Sequence, residues 1–101
     1  MGKLIDVRDI RVLDPEDSVY RELVLIKVKV GEEKRQALVT VCDVFRSKII
    51  DITKDSMIIE LTGTQSKVSA FIEMLSEYEI LEIARTGIAG LRRGSDGVVY
   101  L

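Results

Sequence analysis

The sequence predicts an α+β domain of order β-α-β-β-α-β, in which two helices cover one face of a four-stranded antiparallel sheet. Three observations carry this. Tyr20 to Val30 alternates as a strand. Glu33 to Ser47 and Gln65 to about Glu77 carry apolar residues at helical spacing. Three short apolar runs bounded by turn residues fall between and after those helices.

The elements follow in order. Lys3 to Val12 alternates imperfectly, with Ile5, Val7, Ile10 and Val12 apolar, and reads as a strand additional to the four. Asp14 to Ser18 is a turn, because Pro15 fixes φ and the Asp and Ser side chains can bond nearby backbone. In Tyr20 to Val30, Val24, Ile26, Val28 and Val30 share one face; Leu23, Leu25, Lys27 and Lys29 share the other. Gly31 ends that strand. In the first helix Ala37, Leu38, Val41, Cys42 and Phe45 form the buried stripe. Glu32 and Glu33 near its start, and Arg46 and Lys48 near its end, suit the helix dipole.

Ile49 to Thr53 and Met57 to Thr62 read as a hairpin around Lys54-Asp55, a turn that lacks glycine. Thr64 is a candidate N-cap for the second helix, whose buried stripe is Val68, Phe71, Ile72 and Leu75. Ile80 to Ala84 is the last strand, and it leads into a run with glycine at 87, 90 and 94 and arginine at 85, 92 and 93. This order is the ferredoxin-like plan. It leaves one sheet face in need of cover or a partner. The expected organisation is residues 1–18 as an extra strand and turn, 19–94 as the domain, and 95–101 as a tail.

The chain's 101 residues fit a single core, and 47% hydrophobic with 32% charged content excludes a disordered chain. A net charge of −2 supplies no basic field to gather nucleic acid or acidic membrane. No apolar run approaches the roughly 20 residues a membrane span needs. The N-terminus has no signal-peptide core, and Asp6 does not fit a myristoylation signal. The single Cys42 cannot form an internal disulfide, so a reducing cytoplasm is expected.

Histidine, tryptophan and asparagine are all missing. Proton transfer near neutral pH most often uses histidine, so no catalytic residue is assigned and no enzyme activity is expected. Acylphosphatases share this plan but need an asparagine with their arginine. Gly87-Ile88-Ala89-Gly90 has the letters of a KH-domain loop but follows a strand, and the strands lack the aromatics on which an RNA-binding sheet stacks bases. Cys42 lies in a buried stripe and reads as a structural thiol. The carboxylates at 14, 16, 17, 32, 33, 51 and 55 read as solvated caps and turns rather than a metal site.

The candidate partner contacts are Arg85, Thr86, Gly87, Arg92 and Arg93, since arginine's rigid donor fork favours interfaces. The competing readings are solvated charge for the arginines and a strand-end bulge for Thr86-Gly87.

Several pieces resemble a known family: Arg21-Glu22-Leu23 running into Ile26-Lys27-Val28, Asp43-Val44-Phe45-Arg46, Ile49-Ile50-Asp51, and Leu61-Thr62-Gly63-Thr64 with Lys67. Ala70-Phe71 and Glu82-Ile83-Ala84-Arg85-Thr86-Gly87, with Leu91 and Arg93-Gly94, complete the match. Together they resemble the C-terminal domain of the small, regulatory subunit of acetolactate synthase, an enzyme of branched-chain amino acid biosynthesis. Lys3-Leu4-Ile5-Asp6-Val7 is similar to the strand that closes the preceding ACT domain in that family. The resemblance implies a non-catalytic chain that binds the large subunit, modulates its activity and feedback inhibition, and forms a homodimer. It implies no cofactor here, since thiamine diphosphate, flavin and magnesium belong to the large subunit. The alternative is a stand-alone ACT-like dimer that senses an amino acid.

Overall fold

The structure is a computed structural model and describes residues 15–95. Residues Lys3 to Val12, expected as an extra strand, and most of the tail expected at 95–101 lie outside the described residues. After a 3-10 turn at Pro15–Asp17 come β1 (Ser18–Lys29), α1 (Glu32–Val44), β2 (Lys48–Ile52), β3 (Ser56–Gly63), α2 (Gln65–Met74) and β4 (Glu79–Arg92). The strands form one sheet of order β2-β3-β1-β4, so each helix links strands separated by one neighbour, the ferredoxin-like arrangement. The chain divides into two compact units. One is Arg21–Ala89; the described residues of the other are 15–20 and 90–95.

Within Arg21–Ala89 the register follows from hydrophobic alternation. β1 lies antiparallel to β3 with Val24 opposite Leu61, Ile26 opposite Ile59 and Val28 opposite Met57. All six are buried, and Leu38 and Cys42 of α1 and Val68 and Phe71 of α2 join them in one core. A slip of one residue would turn this whole set toward the opposite face. β2 pairs with β3 through a register shift between Ile49 and Asp51. The hairpin turn at Lys54-Asp55 has no glycine; instead the Arg35 Nη2 group of α1 donates to the carbonyls of Thr53 (2.7 Å) and Lys54 (2.8 Å).

Both helices end earlier than the apolar spacing predicts. α1 stops at Val44, not Ser47, and Ala37 of its expected stripe is exposed. Arg46 and Lys48 therefore lie beyond its last turn. Arg46 adopts φ +57°, while the Ser47 N–H donates to the Cys42 carbonyl and the Arg46 N–H to the Asp43 carbonyl. This is the Schellman ending that glycine usually provides, and an arginine in its place gives no sequence signal. Arg46→Gly should therefore stabilise the domain by about 1 kcal/mol, read as a higher urea midpoint with an unchanged slope. α2 begins where expected, with Thr64 Oγ1 accepting from the Lys67 N–H. It ends at Met74 rather than Glu77, closed by a Ser76 N–H to Glu73 carbonyl bond and a Tyr78 N–H to Leu75 carbonyl bond.

The largest departure is β4. The expected strand, Ile80 to Ala84, continues through the glycine-rich run as far as Arg92. Of its glycines only Gly87 takes a positive φ, and Ile88, Ala89 and Leu91 keep the strand extended.

Candidate functional site

The polar centre of the unit Arg21–Ala89 is the seam between β1 and β4. Lys27 Nζ meets Glu82 Oε1 at 2.8 Å, and the Leu23 N–H donates to Thr86 Oγ1 at 3.1 Å. Each pair of residue numbers sums to the same value, so the two strands run antiparallel. The hydrogen bond holds Glu82 below the usual carboxylate range and raises Lys27 above its ordinary value.

Glu22 lies on the inward face of β1, in line with Val24, Ile26 and Val28, and is only 5% exposed. Burying a carboxylate requires a partner. Arg85 supplies it: Nε donates to Oε2 at 3.0 Å and Nη2 to Oε1 at 2.7 Å. This bidentate bond, opposed by burial and helped by the Arg85 charge and the Gly87 N–H, holds the Glu22 carboxyl below the usual range. The same bond raises Arg85. Next to it, the Thr86 hydroxyl takes the Leu23 N–H and donates to the Gly87 carbonyl at 2.9 Å. Gly87, at φ +84°, turns the backbone here. A methyl group at that position would meet nothing within 4 Å, so Gly87→Ala should cost only its backbone strain, about 1–2 kcal/mol of unfolding free energy.

Of the five predicted contact residues, the structure therefore ties Arg85, Thr86 and Gly87 to β1. Arg92 and Arg93 belong to the other unit. There the Arg93 N–H donates to the Asp17 carbonyl at 2.9 Å, and Arg92 Nε stands 3.9 Å from Asp17 Oδ2. Sequence reasoning missed Glu22. Its signal was present: an acid in phase with four inward valine and isoleucine positions must find a cation. Among the described residues no three histidine, cysteine, aspartate or glutamate side chains gather as a metal site. Cys42 is buried, and burial pushes its thiol up. No described helix is long and apolar enough to cross a membrane.

A four-stranded antiparallel sheet carrying two helices, with its central ion pair spent on joining its own strands, defines a ferredoxin-like α+β domain. The family described as small subunit of acetolactate synthase matches residues 21–94. A probable acetolactate synthase small subunit of Archaeoglobus fulgidus is 44% identical over 95 residues, covering 94% of this chain and 59% of that protein. The Bacillus subtilis acetolactate synthase small subunit is 37% identical over 95 residues, covering 94% of this chain and 55% of the relative. The crystal structure of the acetolactate synthase small subunit from Thermotoga maritima superimposes with a TM-score of 0.74 at 45% identity, covering 81% of this chain and 50% of that one. The chain belongs to the acetolactate synthase small-subunit family, and so to the small subunit of that enzyme rather than its catalytic one. It spans less than three-fifths of the length of these relatives.

Proposed function

We propose that this chain binds the catalytic large subunit of acetolactate synthase in the cytoplasm, and that it modulates the rate and feedback inhibition of that enzyme. The family match over residues 21–94 carries this reading. The β1–β4 seam agrees with it, because Glu22, Lys27, Glu82 and Arg85 are engaged with one another. The chain acts as a homodimer. Its effect on the large subunit is a coupling free energy transmitted by docking. Docking can alter a rate only if the chain binds the more active form of the large subunit with a different affinity from the less active one.

The test mixes the purified chain with the large subunit and measures co-sedimentation and acetolactate formation. Complex formation with an altered rate is expected. An unchanged rate and no complex would defeat the proposal. The amino-acid-sensing alternative separates from it by calorimetry with valine, leucine and isoleucine, which give no heat under the reading favoured here.

A further inference from the structure

The end of α1 carries a residue in a conformation that does not suit its type. Arg46 sits at φ +57°, one position past the cap residue Phe45. Side chains are strained in that left-handed region, and glycine would close the same turn without the strain. The backbone gains nothing from an arginine here, so its advantage lies in the side chain. That side chain is exposed, and among the described residues it has no hydrogen bond or ion pair. Arg35 and Arg85, by contrast, spend their donors inside the unit.

The turn that carries Arg46 is fixed on both sides. The Arg46 N–H donates to the Asp43 carbonyl at 3.1 Å, and the Ser47 N–H and Oγ both donate to the Cys42 carbonyl, at 2.9 and 3.0 Å. The Phe45 ring packs edge-on against Phe71 of the core. A cation mounted this way loses little backbone freedom when it binds. Val44, just before the cap, is 72% exposed, more than any other large apolar side chain described in Arg21–Ala89. Lys48 is exposed at the start of β2. Each stands two residues from Arg46, within about 7.6 Å at Cα, so they fall in one small patch. Asp43 is the carboxylate nearest in sequence, which leaves two cations against one acid.

We propose that Val44, Arg46 and Lys48 form a docking point for the large subunit, with Arg46 taking a surface carboxylate of that partner and Val44 an apolar side chain beside it. This inference rests on the docking reading above and names its surface. Two cations on a chain of net charge −2 make no field for nucleic acid. An arginine beside an exposed apolar residue is the composition of a protein interface. Its planar fork can hold a carboxylate through two parallel N–H···O bonds. At this position stability is given up for contact.

Binding to the purified large subunit and urea denaturation, measured on the same variants, test this. Arg46→Gly should raise the urea midpoint yet weaken binding about tenfold. A purely structural residue cannot do both. Arg46→Asn tolerates the left-handed region but carries no charge, and should weaken binding to a similar extent. Val44→Ser should weaken binding with the midpoint nearly unchanged. Lys34→Ala, at the other end of α1, should leave binding as it is. Added salt should weaken the natural chain more than Arg46→Gly. Natural affinity in both Arg46→Gly and Val44→Ser would overturn the docking point and leave the proposed function standing. A lowered midpoint in Arg46→Gly would mark the arginine as structural and overturn the docking point too. No complex with the natural chain would overturn both readings.

Discussion

Phe71→Ala is expected to remove about 3–5 kcal/mol of unfolding free energy, most of what a domain of this size commands. The ring is fully buried in α2 and meets the Phe45 ring at the end of α1 edge-on, with centroids 5.1 Å apart at 61°. Truncation therefore loses transfer free energy, leaves a cavity between two short helices, and removes the aromatic contact. α2 is only ten residues long and would be marginal by itself, so it depends on this packing. Urea denaturation measures the loss. Phe71→Leu keeps most of the apolar volume and should cost distinctly less. Equal costs for the two variants would show that the loss comes from the ring's shape and its edge-on contact with Phe45 rather than from the apolar volume removed.

Arg85→Met should be the most damaging polar substitution in the sheet. It leaves the Glu22 carboxylate on the inward face without its two charge-assisted bonds. The pH dependence tells this loss from a packing defect. In the natural chain the folded-state pKa of Glu22 lies below the ordinary 4.5, because Arg85 favours the ionised form. Its contribution is then present above the unfolded value and fades as pH falls through the lower, folded one. Without Arg85, burial governs and raises the folded pKa, so the sign reverses. The variant gains stability relative to the natural chain on acidification through the carboxylate range, and loses it as pH rises. Glu22→Leu combined with Arg85→Met removes both charges and should recover much of the loss. The check is denaturation midpoints between about pH 3 and 7. Parallel curves for the natural chain and Arg85→Met would show that the pair does not act through charge.

Much of the fold was legible because its cause is local. The alternation Val24, Ile26, Val28, Val30 marks β1 and its inward face, and those side chains are buried. Thr64 marks the start of α2 because its hydroxyl caps the Lys67 N–H three residues on. The failures fall where a neighbour decides. Arg46 takes a glycine's conformation, so nothing in the letters marks the end of α1. The glycines after Thr86 suggest a break, yet β4 runs on to Arg92, because β1 begins at Ser18 and offers a partner along that length. Of the predicted contact residues, Arg85 could be singled out for its charge, but its use could not, because Glu22 stands 63 positions away.

By itself the sequence determined the α+β class, the order of the elements and the inward face of β1, all of which follow from hydrophobic period and turn chemistry between near neighbours. Tertiary structure alone decided which charges are consumed and how far β4 extends. Those outcomes depend on pairings between distant residues, and the energy of a buried charge or an unpaired strand is set by what lies across from it.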